Sequence, residues 1–141
     1  MQDNNLIISK INLIHSDLEK LKDLQKYTFE QIVSDYIKHK ALERIIEVII
    51  NESVDINHHI IANSNNQDFS FDYKKSFTIL GDMKILPSDF AQKISLSVGL
   101  RNILVHQYRD LDEKMFIASI PDCISQYTEY CQHILNYLKQ K

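Results

Sequence analysis

An arginine, a histidine and a tyrosine lie within eight residues of one another in this sequence, as Arg101, His106 and Tyr108. A guanidinium binds phosphate through paired hydrogen bonds and stabilises charge that develops on its oxygens. An imidazole titrates near neutral pH and can give or take a proton. Together these groups suit phosphoryl transfer on RNA, where the neighbouring 2′-hydroxyl is a built-in nucleophile and no metal is required.

The same residue types also have a plainer interpretation. An arginine and a histidine on one helix are often a surface ion-pair partner and a hydrogen-bonded core side chain. Because arginine is almost never buried without a partner, Arg101 must either reach solvent or bind an anion. Residue chemistry alone leaves the two interpretations open.

The segment that carries these residues has the pattern of a helix beginning at Pro87 and Ser88. At about 100° per residue, apolar side chains cover two of its sides, and Arg101 and His106 lie about 140° apart. On one straight helix, Arg101 and His106 are therefore poorly placed to contact the same ligand. Either the helix ends so that His106 turns back, or two copies of the chain face each other, with Gly99 allowing close approach.

The run Gly99–Tyr108 resembles the Arg-x4-His-x-Tyr signature of HepT-like toxins, small helical ribonucleases of the HEPN superfamily. The lead-in Ile85-Leu86-Pro87, the exit Arg109–Asp112 and the segment Glu52–Ala62 resemble the family as well. The resemblance covers roughly residues 5 to 138. It implies an all-α, homodimeric endoribonuclease that needs no metal and has its active groove between two protomers.

The resemblance also implies a role for each motif residue. Arg101 holds the scissile phosphate, and His106 is the general acid or base. Asn102 positions phosphate or histidine, and Tyr108 lines the site. The family's antitoxin is a nucleotidyltransferase of the MNT type, and the resemblance implies that it silences the toxin by transferring AMP to Tyr108. The leading hypothesis is therefore the toxin of a type II or type VII-like toxin–antitoxin system that cleaves tRNA or mRNA.

Two hypotheses of other classes remain. A non-catalytic HEPN-like module would bind nucleotide or RNA, or partner a nucleotidyltransferase, but it would have no need of the complete motif. A metal-binding bundle would use Glu52, Asp55 and His59, at i, i+3 and i+7. Di-metal bundles need a second carboxylate-x-x-His motif, which is absent here. We therefore expect no metal and no cofactor, and keep Glu52 and Asp55 as secondary candidates bordering the groove.

Composition indicates one helical domain spanning residues 1–141. The chain has 44% hydrophobic and 25% charged residues, with only two glycines and two prolines, which favours long helices. The net charge of −3 means that any RNA contact must be local. No apolar run is long enough for a membrane span, and no signal peptide is evident, so we expect a cytoplasmic protein with no membrane partner. Cys123 and Cys131 are expected to be free thiols.

Apolar spacing predicts an up-and-down helical bundle that dimerises through the motif helix. A first helix is expected over residues 5–24, and one long helix over residues 26–62, bent or broken near Lys38-His39-Lys40. Beyond a polar loop, Asp72 caps a short helix that ends at Gly81.

The C-terminal part of the chain is also predicted to be helical. The motif helix begins at Pro87 and Ser88 and is expected to run without interruption into the Arg101–Tyr108 motif. After a turn at residues 109–112, a last helix begins near Phe116. Pro121 is expected to kink or restart it, because proline cannot continue the backbone hydrogen bonds of the preceding turn.

Overall fold

The computed structural model describes residues 2–64, 72–106 and 113–140, and residues 104–106 as backbone only. Within these ranges the chain is all-α, as predicted, with eight helices and no strand. None of the described helices has the length and apolar character that a membrane crossing needs. In chain order the helices are α1 (Asn4–Leu24), α2 (Phe29–Val33), α3 (Tyr36–Ala62), α4 (Tyr73–Asp82), α5 (Ser88–Ser95), α6 (Val98–His106), α7 (Glu113–Ala118) and α8 (Ile120–Lys139).

Helix α3 is the central element and packs against α1, α2, α4 and α6. The predicted first helix is confirmed as α1, whose N-terminus is capped by the Asp3 carboxylate accepting from the Leu6 amide. Its apolar stripe packs on α3 and α8 and is fully buried. The stripe consists of Ile7, Ile11, Ile14, Leu18 and Leu21.

The predicted long helix over residues 26–62 is two helices, and the break lies at Ser34–Asp35, upstream of the expected position. The Asp35 carboxylate accepts from the amides of Ile37 and Lys38 and so begins α3. Its other oxygen lies 2.9 Å from Lys38 Nζ, and this hydrogen bond lowers the pKa of Asp35. A capping carboxylate therefore overrides the apolar periodicity that runs through this region.

The prediction of an uninterrupted motif helix is wrong, because it divides into α5 and α6 at Leu96–Ser97. The Ser97 hydroxyl donates to the Ile94 carbonyl and also lies 2.5 Å from the Tyr127 hydroxyl of α8. Serine side chains that bond the backbone compete with helix continuation. Arg101 and His106 both remain in α6, so their separation of about 140° still applies.

A buried polar network joins α3, α4 and α8. The Tyr130 hydroxyl donates to Asn57 Oδ1 at 2.6 Å, and Asn57 Nδ2 donates to Ser76 Oγ at 3.1 Å. All three residues are inaccessible to solvent, and burial raises the pKa of Tyr130 well above its ordinary value. Because an unpaired buried amide costs about 1–3 kcal/mol, the network selects one register of the three helices.

The last helix restarts where proline predicts. Helix α7 ends at Ala118, and α8 begins at Ile120 with Pro121 in its first turn, where the missing amide proton does no harm. Cys123 and Cys131 are free, as expected. Both are buried, and burial raises the pKa of each thiol to about 12.

Helix α4 ends at Asp82, one residue past Gly81, so the predicted C-terminus is confirmed to within a residue. The left-handed residue is not the glycine but Lys84, with φ of 62°. A Cβ atom on Gly81 would lie 2.8 Å from the Cβ of Ala91. The glycine therefore allows α4 and α5 to pack closely. Helix α5 leads directly into α6, which carries Arg101.

We expect Gly81→Ala to destabilise the fold by about 1–3 kcal/mol, because the clash moves the α5 backbone and outweighs the gain of about 1 kcal/mol in helix propensity. The double variant Gly81→Ala/Ala91→Gly is the matched control, since it removes the Cβ atom of residue 91 that the new Cβ would meet at 2.8 Å. It should recover most of the lost stability, because the gain and the loss in helix propensity roughly cancel. Urea unfolding at one protein concentration measures both changes, and equal midpoints would contradict the role given to Gly81.

Candidate functional site

Arg101 lies in the first half of α6 and is half-buried between two other helices. Its Nε donates to Asn51 Oδ1 of α3 at 3.0 Å. Its guanidinium carbon lies 4.5 Å from the centroid of the Tyr73 ring of α4, within the range of a cation–π contact. Nη1 lies 3.4 Å from the neighbouring Asn102 Oδ1. The side chain is therefore held by an amide on one side and an aromatic face on the other.

Local chemistry places Tyr73 where it meets the arginine. Tyr73 is the first residue of α4, which begins there because the Asp72 carboxylate accepts from the amides of Lys74 and Lys75, as predicted. The Tyr73 ring also makes an edge contact with His58 of α3 at 6.3 Å. Burial lowers the pKa of His58, with Asp55 opposing the shift, so the imidazole adds no charge at neutral pH.

Arg101 has no carboxylate within 4.0 Å among the residues that the structure describes, and the partners given above are neutral. A guanidinium carries five N–H donors, and the bonds to Asn51 and Asn102 use only part of them. The charge and the remaining donors are available to an oxyanion, which binds guanidinium in a bidentate manner. This arrangement fits an anion site rather than a surface ion pair.

A cavity of about 420 Å³ opens beside Arg101. Lys74 adds a second cation to its wall, and Gly99 leaves one side open. A larger cavity of about 570 Å³ lies between the α4–α5 connection and α8, away from the motif. The smaller one is lined by two cations and by one carboxylate, that of Asp72, which accepts from the first amides of α4; the excess positive charge suits a phosphate. Its lining includes Tyr73, Lys74, Leu96, Gly99, Arg101 and Asn102.

The other motif residues are described to different extents. Asn102 is exposed and adjoins Arg101 at the cavity. His106 is the last residue of α6, and its side chain lies outside the description. Tyr108 lies outside the described residues. The structure therefore brings Arg101 and Asn102 together, while the pairing of Arg101 with His106 and Tyr108 stays a prediction.

Glu52, Asp55 and His59 have partners on the N-terminal helix and its cap. Lys10 Nζ lies 2.9 Å from Glu52 and 3.4 Å from Asp55, and the amide of Asp3 donates to His59 Nε2. Partial burial acts to lower the pKa of Lys10, but the hydrogen bond to Glu52 and the two carboxylate charges outweigh it and raise that pKa. These contacts tie α3 to α1, which disfavours the metal-binding interpretation.

Sequence reasoning missed Asn51 and Tyr73. Asn51 follows the apolar run Val48-Ile49-Ile50 and precedes Glu52 and Ser53, so its place in the sequence gives no signal of a specific partner. Tyr73 follows a capping aspartate and was predicted only as a helix residue. No spacing rule connects positions 51, 73 and 101, because their contact arises from the packing of three helices.

Three comparisons place the chain among known proteins. The family described as Ribonuclease HepT-like matches residues 14–134. The chain is 31% identical over 133 residues to the "tRNA nuclease HepT" of Aphanizomenon flos-aquae, covering 94% of this chain and 90% of that protein. In structure it is similar to a tri-AMPylated Shewanella oneidensis HEPN toxin in complex with MNT antitoxin, with a TM-score of 0.82, 20% identity, and coverage of 95% and 99%.

A second solved structure, of a toxin–antitoxin with AMP-PNP, gives a TM-score of 0.80 at 19% identity, covering 94% of this chain and 98% of that one. At such low identity these two likenesses establish the fold alone. That fold is the all-α HEPN fold that the sequence predicted.

Proposed function

The chain belongs to the ribonuclease HepT-like family, and from this premise we propose that it is the ribonuclease toxin of a toxin–antitoxin pair. The observation that carries the proposal is the environment of Arg101. Its guanidinium is half-buried, held by neutral groups, and faces a cavity with a second cation. Such an arrangement binds the phosphate of an RNA chain.

The proposed reaction is an internal transfer that needs no metal step. The 2′-hydroxyl oxygen attacks the adjacent phosphorus, and the bond from phosphorus to the 5′-oxygen breaks. His106 takes the proton of the nucleophile or gives one to the leaving 5′-oxygen. Arg101 stabilises the charge on the non-bridging oxygens, and Asn102 adds a hydrogen bond. The products are a 2′,3′-cyclic phosphate and a 5′-hydroxyl.

The groove is proposed to form between two chains. On an ideal helix, residues 101 and 106 of α6 lie about 140° apart, which supports a site that takes Arg101 and His106 from different chains. Gly99 is exposed and open, and Leu96 beside it exposes 65% of its surface. An exposed leucine next to a glycine supports close pairing of two α6 regions, with Arg101 from one chain and His106 from the other.

The proposed substrate is tRNA, because a 31% identical relative carries the name tRNA nuclease. The proposed partner is an MNT-type nucleotidyltransferase antitoxin, as in the Shewanella complex of an AMPylated toxin. We assign the AMP acceptor to Tyr108. Each AMP adds a phosphodiester charge and an adenosine, so the charge competes with RNA for Arg101 and the bulk obstructs the groove.

Arg101→Ala and His106→Ala should each lower RNA cleavage about 100-fold or more, since each removes a group that acts in the transition state. Cleavage by the unchanged chain should survive EDTA and leave 2′,3′-cyclic phosphate ends, which end-mapping of tRNA fragments detects. Circular dichroism should show unchanged helix content in both variants. A strict requirement for a divalent metal would refute the mechanism.

The same two variants test the shared groove. Light scattering of each variant should give a mass of twice 16.6 kDa, the mass of a dimer. If the sites are shared, mixing the two inactive chains in equal amounts should restore about a quarter of the original cleavage, because half of the dimers are mixed and each has one intact site. No recovery after demonstrated subunit exchange would place Arg101 and His106 of one site in the same chain.

Asn51→Asp should weaken RNA binding and cleavage at least about tenfold, because it places a carboxylate 3.0 Å from Arg101 Nε and satisfies the guanidinium internally. Asn12→Asp is the matched control, since it adds the same charge at an exposed position on α1. Filter binding of tRNA measures affinity in both. Equal losses in the two variants would mean that net charge, not the Arg101 contact, is responsible.

Tyr108→Phe should keep cleavage within about threefold of the original, because a phenol near pKa 10 is no base at neutral pH. It should, however, block AMP transfer. After co-expression with the nucleotidyltransferase, intact mass should show added AMP on the unchanged chain, located to the peptide of Tyr108, and none on Tyr108→Phe. Modification of the variant, or an inhibited complex without AMP, would contradict this assignment.

A further inference from the structure

A second cluster of ligand-type side chains lies at the junction of α3 and α7, apart from the site above. His39 and Glu43 are one turn apart on α3, and Glu113 is the first residue of α7. His39 Nε2 lies 2.9 Å from Glu113 Oε2 and 3.3 Å from Glu43 Oε2. The ligand atoms of all three lie within 4.8 Å of one another, an arrangement that no other histidine, cysteine, aspartate or glutamate in the described ranges matches.

The surroundings favour a cation at this cluster. The three side chains are only 16%, 19% and 29% exposed, so solvent screens their charges incompletely. Two carboxylates converge on one imidazole, and Lys40 contacts the outer oxygen of Glu43 at 3.3 Å. Like charges held this close are unfavourable unless a cation lies between them. A protonated His39 offsets one negative charge, whereas a divalent ion offsets two.

The spacing of the ligand atoms also suits a metal. Zinc binds imidazole nitrogen and carboxylate oxygen at about 2.0–2.2 Å, which makes the edge of its tetrahedron about 3.4 Å. The two separations from His39, 2.9 and 3.3 Å, need a shift of only a few tenths of an ångström, and the two carboxylate oxygens lie within 4.8 Å of each other and must come closer. In His-x3-Glu on a helix, both side chains lie on one face. The third ligand, Glu113, lies 74 residues beyond His39 in the sequence and belongs to a different helix.

We propose that His39, Glu43 and Glu113 bind one Zn²⁺ per chain, with a water molecule in the remaining position. Mixed nitrogen and oxygen ligands favour Zn²⁺ over Mg²⁺ and Ca²⁺, which prefer oxygen alone. The ion joins α3 to α7 through Glu113, which follows the motif residue Tyr108 by five positions in the chain. Its role is to stabilise this junction. It shares no residue with the RNA site and takes no part in cleavage.

Isothermal titration of ZnCl₂ into untagged, chelator-treated, full-length protein tests the site. The unchanged chain should bind one Zn²⁺, and His39→Ala and Glu113→Gln should each bind at least tenfold more weakly. At a free Zn²⁺ concentration about 100 times Kd, the Tm of the unchanged chain should rise by about 5 °C or more. Glu113→Gln is nearly isosteric and partly exposed, so it keeps the test valid if His39→Ala folds poorly.

His133→Ala is the matched control. His133 and Glu129 form an i,i+4 pair on α8, with Nε2 and Oε2 3.0 Å apart, but no residue in the described ranges adds a third ligand to them. Zinc binding should be unchanged in this variant. Absence of a Zn²⁺-dependent heat and Tm rise in the unchanged chain, or equal binding by Glu113→Gln, would overturn the proposal. Both outcomes are independent of RNA cleavage, which EDTA-treated protein should retain at 25 °C.

Discussion

A half-buried positive charge among neutral partners is the constraint on which the site depends. Arg101 donates to the amide oxygen of Asn51 and lies against the ring of Tyr73, with no carboxylate near it in the described part of the chain. Arg44, on the exposed side of α3, pairs instead with Glu47 at 3.2 Å. The amide and the ring offset part of the desolvation cost of Arg101 without neutralising it. A bound anion would offset the rest of the desolvation cost of the Arg101 charge.

That environment exists only if α3 and α4 keep one register, because Asn51 and Tyr73 belong to different helices. The buried network supplies the register close to the site. Asn57 lies less than two turns beyond Asn51 on α3, and its amide donates to Ser76, which is one turn beyond Tyr73 on α4. A slip of either helix would leave the buried amide of Asn57 unpaired. The buried polar network therefore fixes the positions of Asn51 and Tyr73 around Arg101.

The sequence predicts what local rules control and misses what depends on distant contacts. Apolar periodicity predicted the helices, and the motif predicted Arg101. The break before α3 has a local signal, the capping carboxylate of Asp35, which the continuous apolar pattern concealed. The break before α6 has no local signal as clear, since Ser97 bonds Tyr127 of α8. Asn51 and Tyr73 could not be assigned for the same reason, because only three-helix packing brings them to Arg101.

On the proposed function, the feature that makes Arg101 useful in cleavage also makes it easy to inhibit. A guanidinium already paired with a carboxylate would gain little from a further anion, whereas Arg101 pairs with no carboxylate in the described part of the chain and keeps a demand for negative charge there. Any phosphodiester attached nearby meets that demand at high effective concentration, since it is tethered to the same assembly. A covalently attached anion should therefore inhibit this site more strongly than an attached neutral group of equal size. On that proposal, the neutral surroundings of Arg101 among the described residues suit both the binding of RNA phosphate and inhibition by a phosphate-bearing modification.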